Sequence, residues 1–295
     1  MQDGLVLLDK PPGKTSFEAL TPVKRGLRTG KVGHAGTLDR FGSGLLVVLT
    51  GKMTRLIRAF ADTEKHYTAT ILFGTETETL DPEGGITARG EVPAQADLEG
   101  VLRRFVGTIE QVPPAYSAVH VDGERAYKRA RSGRAVSPKA RHVVVHEIEL
   151  LRYQGAEAEI SLRCGSGTYV RSLARDIAYE LGTVSHVVRL RRTGIGDFGV
   201  DESIRPDDFD PDKDMLPPKA VADRLPGVAT AVVSTDALRG VAHGAPLSPE
   251  DFERPPAEEG ITLVTSKTGN VVAAVERNKG RFKYVFVAAG QEETA

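Results

Sequence analysis

Asp39 is the residue of this chain whose setting most favours chemistry. It stands in Gly33-His34-Ala35-Gly36-Thr37-Leu38-Asp39-Arg40-Phe41-Gly42-Ser43-Gly44, where four glycines in twelve residues let the backbone take positive φ and approach a ligand closely. The apolar run Leu45 to Leu49 behind it reads as a buried element anchoring the turn, and an exposed carboxylate on a rigid support suits a nucleophile. On this stretch alone the plainer role stays open, in which Asp39 caps a turn through its own side chain. A guanidinium beside Asp39 would favour its ionised form and fix its orientation through paired hydrogen bonds. Arg171 is the candidate, in Gly165-Ser166-Gly167-Thr168-Tyr169-Val170-Arg171, a strand end, a glycine turn and a helix start. Taken singly, Tyr169 also suits a packing residue and Arg171 a surface ion pair. Tyr67 lies on an alternating strand, where an aromatic usually packs in a core; its polar neighbours Lys65, His66 and Thr68 also suit a place at a cleft.

The elements that must position these residues are legible in outline. Gly4 to Asp9 reads as a strand ended by Lys10-Pro11-Pro12-Gly13, and Ser16 to Gly26 as a helix that a serine can cap. His66 to Phe73 alternates as a strand, Asp81-Pro82-Glu83-Gly84-Gly85 is a turn cluster, and Leu98 to Phe105 suits a helix. Arg141 to Leu151 and Ala156 to Cys164 are strands, and Thr168 to Leu181 is an amphipathic helix closed by Gly182. Strands adjacent in sequence favour antiparallel pairing, so the fold class is α+β with a mixed, mainly antiparallel sheet. After Asp197 the chain becomes an acidic, proline-bearing connector ending near Pro226. Beyond it come short strands at Ala229 to Val233, Gly260 to Thr265, Val271 to Arg277 and Phe282 to Ala288, which predict a small β-rich domain.

Composition narrows the class further. With 295 residues, 40% apolar and 27% charged, the chain has the make-up of a soluble globular protein of one large domain and a small one. The apolar run Leu5 to Leu8 is too short for a signal-peptide core or a membrane span, so a cytoplasmic protein without membrane contact is expected. A lone cysteine, Cys164, excludes an internal disulfide, and His142 and His146 are too far apart along a strand to share a metal, so no metal site is expected. Net charge is −1, but the distribution is segregated. Arg125, Lys128, Arg129, Arg131, Arg134, Lys139 and Arg141 form a basic run with no acidic residue, whereas eight acidic residues lie between Asp197 and Asp214. A positive surface on a neutral protein is where phosphates would be neutralised. Gly13-Lys14-Thr15 lacks the earlier glycine of a phosphate-binding loop. Gly194-Ile195-Gly196-Asp197-Phe198-Gly199 has no helix after it, so neither marks a nucleotide site.

The string from Gly33 to Leu46 resembles the signature loop of the TruB-type pseudouridine synthases, which make pseudouridine-55 in transfer RNA. The resemblance implies that Asp39 is the catalytic nucleophile and that His34 supports the flipped nucleotide. Arg40, Gly42 and Ser43 depart from the family pattern, which bears on loop stiffness and keeps His34, Asp39 and Gly44 in register. Gly165 to Arg171 resembles the second family motif, in which Tyr169 would line the pocket and Arg171 would pair with the nucleophile. Lys65 to Ala69 resembles the third, whose tyrosine, here Tyr67, stacks on the uracil and is placed to help move a proton. His186-Val187-Val188-Arg189-Leu190-Arg191-Arg192 resembles the fourth, making Leu190 a pocket wall and setting its basic residues toward phosphate. Tyr116-Ser117-Ala118-Val119-His120 through Gly123, with Tyr127 and the basic run, resembles an insertion that folds over the RNA loop and is mobile without RNA. Its phosphate contacts would be Arg125, Lys128, Arg129, Arg131 and Arg134.

The resemblance covers about residues 4 to 196. It implies a catalytic domain at 1–226 with an insertion at about 112–142, and a PUA-like RNA-binding domain at 227–295. The reaction it implies breaks the bond from N1 to ribose, turns the base and rejoins it through C5, with no redox change, metal or cofactor. A carboxylate can serve by attacking sugar or base, or by stabilising an oxocarbenium-like centre. The target uridine must be extruded into the pocket. The expected partner is the T-arm loop of tRNA, with no protein partner required and a monomer as the default. Two rivals are an RNA-binding or tRNA-folding protein with incidental activity, and an RNA-guided synthase of the archaeal type. The joint presence of Asp39, Tyr67 and Arg171 speaks against the first; the bacterial kind of insertion and the acidic tail Gln291 to Ala295 speak against the second.

Overall fold

The structure, a computed structural model, describes residues 3–288 except 118, 122, 135, 137, 257 and 258; the side chains at 120, 121, 125, 127 and 131 also lie outside the described residues. β1 (Gly4–Lys10) leads through Pro11 and Pro12 to two short helices, α1 (Ser16–Ala19) and α2 (Thr21–Gly26), then to β2 (Val32–His34), the Asp39 loop and β3 (Ser43–Thr50). A 3-10 helix at Gly51–Phe60 precedes β4 (Lys65–Phe73), the paired β5 (Thr75–Thr77) and β6 (Ile86–Arg89), α3 (Gln95–Leu102) and β7 (Gly107–Gln111). The insertion carries β8 (His120–Val121), β9 (Glu124–Arg125) and α4 (Ala126–Arg131). After it come β10 (Arg141–Gln154), β11 (Glu157–Cys164), α5 (Val170–Glu180), β12 (Ser185–Ile195) and β13 (Phe198–Gly199). The last part holds α6 (Pro218–Val221), β14 (Val228–Val232), α7 (Thr235–Ala242), β15 (Gly260–Thr265), β16 (Val271–Asn278) and β17 (Arg281–Val287).

The first sheet runs β1-β3-β12-β4-β11-β10-β7, with β2 on β3 and β13 on β12. Every described pairing in it is antiparallel except β3 with β12, which touch in parallel only at Ser43 with Arg191 and Gly44 with Arg192. This is the mixed, mainly antiparallel α+β architecture expected from the sequence. Gly44, at φ +104, makes that junction possible, because a Cβ there would overlap the carbonyl of Arg192.

β1 and β3 read as unbroken apolar runs because both faces are covered. Val6, Leu8, Leu46 and Val48 pack on α1 and α2. Leu5, Leu7, Leu45, Val47 and Leu49 face the 3-10 helix and the second sheet, sharing a core with Leu263, Ala274 and Phe286. That second sheet, β14-β15-β16-β17, is tied on by Lys52 Nζ donating to the Val287 carbonyl and Arg55 Nη1 to that of Val285, both at 2.6 Å. A third core lies where α5 and α3 cover β4, β10, β11 and β12.

The helix expected over Ser16 to Gly26 is two helices. Pro22 cannot donate back toward Glu18, so the chain breaks at Leu20. The cap is Thr15, whose side chain accepts from Glu18 N at 3.1 Å while Glu18 Oε2 accepts from Thr15 N at 2.7 Å. Ser16 turns inward instead. The four C-terminal strands lie where the sequence places them, to within a residue or two, and α7, capped by Ser234, is an addition.

Candidate active site

The Asp39 loop is bolted down on every side. Ser16 Oγ accepts from Leu38 N at 2.9 Å and donates to Leu38 O at 3.0 Å, fixing the residue just before Asp39. Gly13 N donates to Arg40 O at 2.8 Å, and Arg40 Nε returns to Gly13 O at 2.9 Å. Lys10, wholly buried, donates from Nζ to the carbonyls of Lys14 (2.7 Å), Pro11 (3.0 Å) and Arg40 (3.3 Å). Burial pushes its ammonium down to about 8, and the Asp39 charge opposes that shift. The loop is therefore rigid while the Asp39 side chain stays 35% exposed.

Arg171, in the first turn of α5, is 4% exposed and reaches Asp39 side-on. Its Nε lies 2.9 Å from Oδ2 and its Nη2 donates to Oδ1 at 3.0 Å. One hydrogen bond and one ion-pair contact from the same guanidinium to the two oxygens orient the carboxylate as well as neutralising it. The rest of the guanidinium is also engaged. Nη1 donates to Thr79 O at 2.8 Å and lies 3.1 Å from Oδ2 of Asp81, a carboxylate 5% exposed, while Nη2 also donates to Tyr116 O at 3.1 Å. Asp81 is itself held by the Thr79 hydroxyl and by Glu83 N, at 2.5 and 3.0 Å to Oδ1. One buried cation thus sits between an exposed and a buried carboxylate.

Tyr67 is half-buried on β4, in register with Arg192 of β12. Burial raises its phenol; a hydrogen bond from Arg192 and that residue's charge pull the other way. Leu190, two residues back on β12, is 6% exposed and shares a core with Leu38 and Val170, the neighbours of Asp39 and Arg171, with Tyr67 packed against it. The structure thus brings Asp39, Tyr67, Arg171 and Leu190 to one place. His34 stands half-buried on β2, its Nδ1 without a partner; burial and then the Arg192 charge push its imidazole down.

Tyr169 is the N-cap residue of α5, and its peptide is clamped by the amide of Gln111, 1% exposed. Tyr169 N donates to Oε1 at 2.8 Å and Nε2 donates to Tyr169 O at 3.2 Å. Arg141 stacks over the Tyr169 ring at 4.9 Å. Ser172 Oγ and Arg175 Nη2 donate to Val112 O at 2.8 and 3.0 Å, so the root of the insertion is laced to the helix that carries Arg171.

Of the basic run, Lys128, Arg129 and Arg134 lie on the insertion, away from the Asp39 loop in the chain; the side chains of Arg125 and Arg131 lie outside the described residues. Arg134 is engaged with Glu124 at 2.7 Å. The fourth motif's basic residues divide. Arg189 is on the surface, Arg191 is bound bidentately by Asp9 at 2.8 and 2.9 Å, and Arg192 turns inward and does not face phosphate. Sequence reasoning misses Asp81, Gln111 and Lys10 as site residues. Asp81 and Gln111 carry no local signal, because their partners lie some 90 and 58 residues away (Thr79, two residues before Asp81, is 92 from Arg171).

Residues 24–170 match the model of the TruB family pseudouridylate synthase (N terminal domain). The chain is 40% identical over 301 residues to tRNA pseudouridine synthase B of Thermobifida fusca, covering 98% of this chain and 100% of that protein. It is 46% identical over 206 residues to tRNA pseudouridine synthase B of Borreliella burgdorferi (strain ZS7), covering 69% of this chain and 73% of the relative. Among solved structures, a chain in the crystal structure of a Cbf5-Nop10-Gar1 complex superposes with a TM-score of 0.70 at 26% identity, covering 98% of this chain and 84% of that one. The full-length agreement with the Thermobifida protein takes in the Asp39 loop, the α5 start and the second sheet together, and on it this chain belongs to the TruB family of pseudouridylate synthases.

Proposed function

We propose that this chain is a tRNA pseudouridine synthase that isomerises uridine-55 of the T-loop, with Asp39 as nucleophile. The observation that carries the reading is the side-on Arg171 fork on a carboxylate that remains open to solvent, at 2.9 and 3.0 Å. A carboxylate held this way is oriented and immobile before substrate arrives, which is how an enzyme avoids reorganisation during reaction. The N1 to C1′ bond breaks with its electron pair going to the base, and the carboxylate holds the broken intermediate. The base turns, C5 bonds to C1′, the C5 proton departs, and N1 takes a proton. Atoms and electrons balance with no cofactor.

Tyr67 stacks on the extruded uracil and helps move the C5 proton, and Leu190 closes the pocket on the other side. His34 and Tyr169 hold the flipped nucleotide. Unstacking the uridine costs a few kcal/mol, offset by phosphate contacts from Arg125, Lys128, Arg129, Arg131 and Arg134 on the insertion at about 112–142. We assign residues 1–226 to the catalytic domain and 227–295 to a PUA-like RNA-binding domain, β14 opening the latter at Val228. In this reading the enzyme acts in the cytoplasm as a monomer, without a guide RNA or protein partner.

The test is an unmodified tRNA transcript with tritium at C5 of uridine, incubated with the chain and then mapped for pseudouridine. Tritium release with modification at position 55 alone supports the reading; release from another position, or none, overturns it.

A further inference from the structure

Arg192 is 1% exposed, and no carboxylate stands among its described hydrogen-bond partners. A guanidinium cannot shed its proton in a protein, so burying one without a counter-charge is costly unless every donor is satisfied. Here the site itself supplies the acceptors. Nε donates to Leu45 O at 2.8 Å, Nη2 to Gly36 O at 3.1 Å and Nη1 to Thr37 O at 3.4 Å, and the guanidinium acts on the Tyr67 phenol, favouring its ionised form against burial. The main chain repeats the grip, since Arg192 is in register with Tyr67 on one side and with Gly44 on the other. A single residue therefore touches both ends of the Asp39 loop and the tyrosine of β4.

We propose that Arg192 is a positioning residue of the synthase site, holding the Asp39 loop and the Tyr67 hydroxyl in one fixed relation without itself reaching the uridine. This rests on the reading of Asp39 as nucleophile. Its charge is felt by the groups around it: Lys10 from β1, His34 from β2, and Lys65 and Tyr67 from β4. Burial is the larger influence on each, and the Arg192 charge pushes the three basic groups further down. Asp39 acts on both Lys10 and Tyr67 as well, as a lesser influence than burial.

The test compares the parent with Arg192→Lys, which keeps a charge in place but has no planar fork to reach three carbonyls. The account predicts a single-turnover rate lower by about 10²-fold, since a displacement of 1 Å at such a site is that costly. RNA affinity is predicted to stay within about twofold, because binding common to ground and transition states is untouched. Amide hydrogen exchange without RNA gives the second readout. In Tyr67→Phe, which removes the phenol but leaves Arg192, the amides of Gly36, Thr37 and Leu38 should exchange faster while those of β16 do not change. Turnover of Arg192→Lys within about threefold of the parent, or a loss confined to RNA binding, overturns the proposal. If Arg192→Lys does not unfold cooperatively, the exchange data decide: quickened loop amides in Tyr67→Phe support the link, and parent-like exchange refutes it. A parent that fails to release tritium counts against the functional reading, because the exchange link is measured without substrate.

Discussion

Arg171 meets Asp81 through the one guanidinium nitrogen that Asp39 leaves unoccupied, Nη1, at 3.1 Å from Oδ2. The orientation of the exposed carboxylate therefore depends on a buried one that the substrate never touches. With Asp39 alone the guanidinium could swing outward with its partner; with Asp81 and the Thr79 carbonyl behind it, it cannot.

Asp81→Asn should keep the shape and lose the charge. The expected outcome is a single-turnover rate lower by about 10- to 100-fold with RNA affinity unchanged, and a fold weaker by about 1–3 kcal/mol as the buried ion pair with Arg171 is lost. Single-turnover tritium release and urea denaturation check both parts. An unaltered rate would mean that Arg171 is held well enough by backbone alone.

Arg171→Lys tests the fork rather than the charge. A lysine ammonium can meet one oxygen of Asp39 but cannot fix its plane, so turnover should fall by about 10²-fold or more even though the net charge is unchanged. Parent-like kinetics in this variant would show that neutralising Asp39 suffices.

Gln111→Ala removes both hydrogen bonds that clamp the Tyr169 peptide, at 2.8 and 3.2 Å. Because these groups are buried, the cost should be about 1–3 kcal/mol. Calorimetry should show that loss together with reduced turnover, as the start of α5 loosens under Arg171. A stable variant with normal turnover would make the clamp incidental.

Lys10 gives a pH prediction. Its folded-state value, about 8, is below its ordinary 10.5, so between those limits the unfolded chain holds the proton that the folded chain has shed. Stability from this group is therefore fully present above the unfolded value, rises as pH climbs from about 8, and is lost as pH falls through it. The melting temperature of the parent relative to Lys10→Met should increase from pH 7 to about pH 9.5. A parent-minus-variant difference in melting temperature that falls over that range contradicts the assignment.

Much of this site is legible in the sequence, for a definable reason. Asp39, Tyr67 and Arg171 each sit in a short local pattern, a glycine turn or a strand with polar neighbours, whereas Leu190 is singled out only by the family resemblance; the fold brings the four together. Asp81, Gln111, Lys10 and Arg192 act through backbone groups or partners far away in the chain, so their types and neighbours announce nothing. In the sequence Asp81 reads as an ordinary turn residue and Arg192 as a phosphate ligand. Register decides the latter: β12 pairs with β4 on one side and touches β3 on the other, which sends Arg192 inward and leaves Arg189 outside. The apolar run of β3 reads correctly as buried, but only the structure reveals that β1 is buried with it and that the second sheet covers one face of both.

The salt dependence of RNA binding tests the insertion. Neutralising Lys128 and Arg129 should lower the slope of log affinity against log salt by about 0.7–0.9 for each phosphate that is no longer neutralised. Arg134→Ala should have a smaller effect than Lys128→Ala, since Glu124 holds the Arg134 side chain at 2.7 Å. A slope that does not change would move the phosphate surface off the insertion.

The central claim is the role of Asp39, and Asp39→Asn is its most direct test. The amide is isosteric and can still meet Arg171, but it carries no charge and is no nucleophile. Single-turnover tritium release from C5-labelled tRNA, with binding measured in parallel, should show no product from Asp39→Asn while the complex forms nearly as well as with the parent. Product release by Asp39→Asn at a rate near that of the parent would contradict the account.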